Sequence, residues 1–365
     1  MIIGFLYKYF GKDSHKGNNL VFEDIQGKGK VLRRMGPIVY LGTFITILLG
    51  GSTGREGAAV QMGSSIAESV NRLFKVIKID QKILLMSGIS GGFGAAFGTP
   101  ITGAIFGMEV VSLGKMKFEA LIPCLTASFV GHLVATKAWR VEHEQFIVKS
   151  VPDISTNTII KVIILAIIFS FVSVLYSQLR HGIQKYSTKY LGDPMLRGFV
   201  GGIIIIALAY LMGSTDYNGR GLDMIEEAFT KEVPHYAFLA KLVFTAVTMG
   251  SGFVGGEAIP LFFMGSTLGN TLSAIVDLPT SFLAALGLIA VFCGGANVPI
   301  AAFIMGIEMF EGKGIEFFFI TCVISYIFSG HHGVWPSQQI YEPKSRMLNL
   351  PSGQSISTIE QKKKD

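Results

Sequence analysis

Apolar residues in this chain run in long unbroken blocks rather than alternating with polar ones. Ile159 to Tyr176, Gly198 to Met212, Phe238 to Met249 and Phe317 to Phe328 are the clearest. Each approaches or reaches the roughly 20 residues that a membrane-spanning helix needs. Continuous blocks predict helices, whereas a period of two would have predicted barrel strands, the other way to satisfy a backbone in lipid. Other blocks are shorter or interrupted by glycine and proline, which predicts broken helices. The expected fold class is an all-α polytopic membrane protein.

The pattern also repeats. Thr99-Pro100-Ile101 through Gly107-Met108-Glu109 matches Val298-Pro299-Ile300 through Gly306-Ile307-Glu308, with nine positions from proline to glutamate in both. Upstream, a glycine-rich run from Gly50 to Gly57 carries Glu56 and leads to Met62-Gly63-Ser64-Ser65. A second run, from Gly250 to Gly256, precedes Glu257 and leads to Met264-Gly265-Ser266-Thr267. From acid to proline the separation is 44 residues in one half and 42 in the other. Internal repeats of this kind build many transporters. The polar stretch around Lys185 to Pro194 reads as the connection, giving a first half over residues 1–187, a second over 188–348 and a tail over 349–365.

Composition narrows the class further. Half the residues are apolar, 15% are charged and the mean hydropathy is +0.51; a soluble domain carries about 25% charged residues. The net charge of +6 includes Lys28, Lys30, Arg33, Arg34 and the terminal Lys362 to Lys364. Those positions predict cytoplasmic flanks. They lack the interleaved aromatics of a nucleic-acid surface, so no nucleic-acid partner is expected. The tail, rich in Ser, Gln and Lys, is expected to be disordered. Cys124, Cys293 and Cys322 stand singly, as packing residues rather than disulfide or metal ligands.

In such a chain the two isolated acids mark a function. A lone ionised side chain at bilayer depth costs on the order of 3 kcal/mol, so it faces a pathway, a partner or a proton relay. Each glycine-rich run directly precedes a predicted helix, whose unpaired N–H groups and positive dipole end suit an anion. Gly250-Ser251-Gly252-Phe253-Val254-Gly255 fits the dinucleotide pattern but lacks a βαβ context, and no cofactor or metal is expected. No Ser/His or His-Glu-x-x-His constellation suggests an enzyme.

Gly54-Arg55-Glu56-Gly57 followed by Val60-Gln61-Met62-Gly63 resembles the signature of the CLC family of chloride channels and proton-coupled anion antiporters. The resemblance runs to about residue 340 and implies a CLC-like inverted-repeat bundle, a membrane location and a homodimer with one pathway per subunit. It implies that Glu56 is the gate and proton-coupling group, with Gly54, Arg55 and Gly57 around one helix end of the anion site and Gly256, Ala258 and Ile259 around the other. Gly256-Glu257-Ala258-Ile259-Pro260 carries an acid where the common family pattern has an apolar residue. That departure resembles the fluoride/proton antiporter branch, as does Gly17-Asn18-Asn19-Leu20, which points to Asn18 as an anion ligand or else a turn residue.

Fluoride export coupled to proton import is the expected activity, with Glu257 as a second proton-carrying group. A chloride channel or chloride/proton antiporter is the alternative. The resemblance places Trp335 where the family has its inner-gate tyrosine, and Ile259 where the fluoride branch would carry threonine. Phe262, Phe263 and Phe303 are either pathway rings or packing residues, and Glu109 and Glu308 are expected to bond helix ends. Glu56 lies early relative to the family, so the first half is expected to lack its first helices, through a misplaced start or a fragment.

Overall fold

A computed structural model describes residues 1–345 and 352–362 of the chain. It begins with a short helix, α1 (Ile2–Leu6). Six helices follow: α2 (Asn18–Ile25), α3 (Met35–Leu48), α4 (Glu56–Phe74), α5 (Lys78–Phe97), α6 (Pro100–Glu109) and α7 (Leu121–Leu133). Two helices then intervene, the 35-residue α8 (Thr156–Tyr190) and α9 (Pro194–Met212). Six more follow: α10 (Leu222–Thr230), α11 (Ala237–Gly250), α12 (Ala258–Val276), α13 (Thr280–Ala296), α14 (Pro299–Met309) and α15 (Ile315–Phe328). Helices α2 to α7 correspond in order and nearly in length to α10 to α15. The match extends to single residues: α4 ends on left-handed Lys75 and α12 on left-handed Asp277, both at φ 53°.

Local chemistry sets the helix boundaries. Pro100 and Pro299 open α6 and α14 at a position where a missing N–H costs nothing. Ser155 caps α8 by accepting from Thr158 N–H at 3.1 Å, and Asp193 caps α9 by accepting from Met195 N–H at 2.7 Å. Small residues then let helices touch backbone to backbone. A side chain on Gly63 would strike Gly88 O, and one on Gly265 would strike Gly287 O, so α4 on α5 and α12 on α13 use the same device.

Burial is unequal among the helices. Every residue of α13 from Ser281 to Ala296 is buried, while α7 and α9 expose apolar residues such as Ile122, Leu211 and Ile206, as lipid-facing helices do. Among the described residues, four helical stretches are long and apolar enough to cross a membrane: Phe118–Ala138, Thr156–Tyr190, Pro194–Met212 and Ala258–Val276.

Two boundaries differ from the sequence reading. Helix α8 runs unbroken to Tyr190, so the border placed at residue 187 falls inside a helix. Lys185 to Tyr190 is polar but contains no helix breaker. The tail is only partly as expected. Residues 349–351 and 363–365 lie outside the described residues, but Gln354–Ser355 form a strand (β3) and Ile356–Lys362 a helix (α16). β3 pairs antiparallel with β2 (Gln339–Ile340), which pairs parallel with β1 (Ser112–Leu113). Ile356 and Ile359 bury against Leu113 and Ile340, apolar contacts that a composition rule for disorder overlooks.

Candidate functional site

The loops ahead of α4 and α12 meet directly. Gly54 N–H donates to Gly256 O at 2.8 Å and Gly256 N–H to Gly54 O at 2.7 Å, one antiparallel bridge between the two halves. Thr53 Oγ1 adds a bond to Gly256 O at 2.8 Å. Gly256 has no room for a side chain, since a Cβ there would lie 2.6 Å from Gly57 N and 2.9 Å from Glu56 Oε2, while a Cβ on Gly54 would meet the movable Glu56 Oε2. The N-termini of α4 and α12 are thereby clamped together, and their dipoles add positive potential at one place.

This pairing corrects part of the expected donor set. The N–H groups of Gly54 and Gly256 are consumed by the bridge, so these residues build the site rather than bind an anion in it. First-turn N–H groups have no acceptor within their own helix, which leaves Gly57 on α4 and Ala258 and Ile259 on α12 as donors. Pro260 has no N–H to offer.

Glu56 is the first residue of α4 and is 3% exposed. Its carboxyl turns back to face the N–H groups of Arg55 and Glu56, and Oε2 lies against Gly54 and Gly256 with no hydrogen-bond partner. A carboxyl oxygen sits at the helix end with part of its acceptor capacity unused. Arg55 points elsewhere: its guanidinium is 3.7 Å from Glu144 Oε1, which also binds Arg220 Nη1 at 2.8 Å. Arg55 and Arg220 are the cations whose charge acts on Glu56.

Behind Arg220, fully buried Lys241 donates to Tyr217 O at 3.1 Å and Gly219 O at 2.9 Å. Gly219 O also accepts from Thr53 N–H at 3.1 Å, so Lys241 ties the Arg220 loop to the Glu56 loop.

Asn18 is the first residue of α2, and its Nδ2 lies 3.5 Å from the position a Gly57 Cβ would occupy. Asn18 Oδ1 and Gln61 Oε1 are buried without partners. Asn18, Gln61, Glu257 and Trp335 all line one cavity of about 340 Å³, together with Lys8, Lys12, Lys16, Arg180 and Arg197. Trp335 is wedged edge-on against Phe22 and Phe106, with centroids at 5.7 and 6.0 Å. The cavity wall is strongly basic, suited to an anion arriving from solution.

Glu257 caps α12 and is 5% exposed. Its Oε1 is 3.0 Å from Arg180 Nε and accepts from Tyr176 OH at 3.2 Å. Phe262 and Phe263 are fully buried and outside the cavity wall. Phe262 packs on Phe97 and Phe292, and Phe263 packs on Tyr217 beneath the Lys241 ammonium. Phe303 packs on Phe319. The three cysteines are buried and free.

Sequence reasoning missed Gln61, Arg180, Tyr176, Arg220 and Lys241. Two carried a signal: Gln61 belongs to the Glu56 motif itself, and Lys241 stands alone in the apolar run from Phe238 to Met249.

Comparison with known proteins gives four findings. The family described as voltage gated chloride channel matches residues 1–330. The chain is 36% identical to the chloride/fluoride channel protein of Pseudomonas syringae pv. tomato, over 98% of this chain and 80% of that one. It is 26% identical to the H(+)/Cl(-) exchange transporter ClcA of Yersinia pestis, over 80% of this chain and 64% of that one. Among solved structures, a CLC-type fluoride/proton antiporter superposes with a TM-score of 0.90 at 32% identity, covering 93% of this chain and 86% of that one.

Proposed function

The chain belongs to the voltage-gated chloride channel family and is a multi-pass membrane protein, and we propose that it moves fluoride across the membrane in exchange for protons. The observation that carries this reading is Glu56: a carboxylate lying at two clamped helix ends, with Oε2 unpartnered. An ionised carboxylate and a fluoride ion compete for the same N–H donors. Charge-assisted hydrogen bonds of this kind contribute about 1.5–3 kcal/mol each, so either occupant excludes the other.

Protonation removes the charge that holds Glu56 at the positive helix ends. The neutral side chain leaves, the anion takes the donors of Gly57, Ala258 and Ile259, and the proton travels with Glu56. Return of the ionised carboxylate drives the anion out. Each cycle passes anion and proton in opposite directions through one residue.

Fluoride is favoured over chloride because the cavity supplies compact, strong donors. Asn18 and Gln61 bring amide groups that can donate, and a small, strongly hydrated ion needs such donors to replace its water. The similarity to a fluoride/proton antiporter at 32% identity supports the same choice. Resemblance to the family also carries the expectation of a homodimer, which cross-linking in native membranes tests.

The experiment is anion flux from proteoliposomes. Fluoride should leave far faster than chloride, and the lumen should change pH in proportion to the fluoride moved. Equal chloride flux would reject fluoride selectivity, and fluoride flux without proton movement would make the protein a channel.

A further inference from the structure

The two clamped helices are capped by opposite charges. Aligning Met62-Gly63-Ser64 on Met264-Gly265-Ser266 sets Glu257 opposite Arg55, and Glu56 opposite Ala258. The backbone agrees: Arg55 caps α4 at φ −103°, ψ −13°, and Glu257 caps α12 at φ −103°, ψ −9°. Each cap has taken a partner of the other sign, Glu144 for Arg55 and Arg180 for Glu257. Glu257 is thus a second helix-end charge with its own counter-ion, rather than a second copy of Glu56.

We propose that Arg180 is an anion receptor switched by Glu257: an ionised Glu257 occupies the guanidinium, and a protonated Glu257 releases it to an anion in the cavity. This inference rests on the anion/proton reading above and assigns a residue which that reading did not contain. Three observations support it. Arg180 and Glu257 both line the basic cavity, so a freed guanidinium has an anion-accessible space beside it.

The pair is close, at 3.0 Å, yet Arg180 Nε does not align as a hydrogen-bond donor. The contact is mainly charge on charge, and neutralising Glu257 removes it. Tyr176, one turn before Arg180 on α8, donates to the same Oε1 at 3.2 Å and keeps the glutamate in place when Arg180 lets go.

The surroundings leave Glu257 as the switching group. Among the described residues, α8 lines the cavity with Arg180 and the neutral Gln184 and reaches Glu257 with Tyr176, while the N-terminal segment faces the cavity with Tyr7, Lys8, Lys12, His15 and Lys16, and α9 with Arg197. α4 contributes the neutral amide of Gln61 and α11 the neutral Met249. Glu257 is the acid lining this wall, so its protonation changes the charge facing Arg180 most directly. The sequence of events balances: a proton arriving on Glu257 admits one anion to Arg180, and loss of that proton to the cavity returns Arg180 to Glu257 and displaces the anion.

The test is a double-mutant cycle in proteoliposomes, reading the fluoride concentration that half-saturates flux between pH 5.5 and 7.5. Glu257→Gln should lower it at least threefold and flatten its pH dependence, because Arg180 is permanently free. Arg180→Gln should raise it at least fivefold, and Glu257→Gln added to that background should change nothing further. Arg180→Lys should restore part of the affinity. An uncompensated buried carboxylate can prevent folding of the Arg180→Gln single variant. The double variant buries no unpaired charge, so Glu257→Gln against the double variant decides alone. Equal half-saturation in those two proteins would overturn the proposal. Wild-type flux is measured first: if chloride rather than fluoride moves, the reading of selectivity fails while the same cycle, run in chloride, still tests Arg180.

Discussion

Among the described residues four glutamates meet helix N-termini, three of them buried and Glu308 half-buried, and they divide into two that are saturated and two that are not. Glu109, at the end of α6, accepts from Ile300 and Ala301 N–H at 3.0 and 2.8 Å at the start of α14. Glu308, near the end of α14, returns the bond to Ile101 and Thr102 N–H at 2.9 and 2.7 Å at the start of α6, with Thr102 Oγ1 at 2.6 Å. Each half caps the other, and all four carboxylate oxygens are used. Glu56 differs in one respect: Oε2 has no partner and rests against glycine. The same side chain at the same kind of helix end is a brace when its acceptors are filled by fixed donors. On the function proposed above, it is an exchangeable ligand when they are not.

The largest expected effect separates these roles. Glu56→Gln should reduce proton movement per anion at least tenfold while leaving the unfolding midpoint in detergent near wild type, because the amide keeps the shape and loses the titrating group. Glu308→Ala should do the opposite. It orphans the N–H groups of Ile101 and Thr102, at a cost of about 1–3 kcal/mol each, so the midpoint falls while the protein that remains folded keeps its proton-to-anion ratio. Loss of coupling in Glu308→Ala with unchanged stability would dissolve the distinction.

A smaller effect probes the space beside Glu56. The Cβ introduced by Gly54→Ala points at Glu56 Oε2 and comes within 3.2 Å of Ile259 Cβ. The carboxylate is the mobile neighbour, so it should yield, leaving the N–H donors open to the anion. Anion flux should persist while the proton-to-anion ratio falls severalfold, a partial copy of Glu56→Gln. Retention of the full ratio would mean that Glu56 does not need the position in which it is found.

Much of this was legible from residue spacing. The matched Pro-to-Glu intervals foretold that Glu109 and Glu308 are equivalent and that helix ends were their partners, because a cap is a local signature. The glycine runs foretold two open helix ends. The bridge between Gly54 and Gly256 was not legible, since it joins backbone atoms far apart in sequence and consumes the donors that a motif would assign to the anion. Arg180 was hidden for a similar reason: it lies on α8 between the repeats, where no repeat partner calls attention to it. Glu257 was readable only in part. Its acidity stood out, but its equivalence to Arg55 depends on register from the Met-Gly-Ser runs rather than on residue type.

The smallest effect tests whether the region around the saturated pair is silent in transport. Lys344 lies beyond α15, and its ammonium donates to Asn297 Oδ1 and to Ser329 Oγ at 2.9 Å, beneath the Tyr326 ring at 4.2 Å. Burial of that ammonium pushes its pKa down from 10.5 to about 7. Between those values the unfolded chain holds the proton and the folded chain has released it, so stability rises with pH across the window, by at most about 1.4 kcal/mol per pH unit. Unfolding midpoints in detergent should climb from pH 7 toward pH 10, and Lys344→Met should flatten the slope. Asn297, which accepts from Lys344, lies three residues before Ile300, whose N–H Glu109 accepts, so this titration takes place beside one of the braces. A braced region has no part in the exchange of ligands at Glu56. The proton-to-anion ratio of Lys344→Met should therefore equal that of wild type, and a changed ratio would draw the saturated pair into the transport cycle.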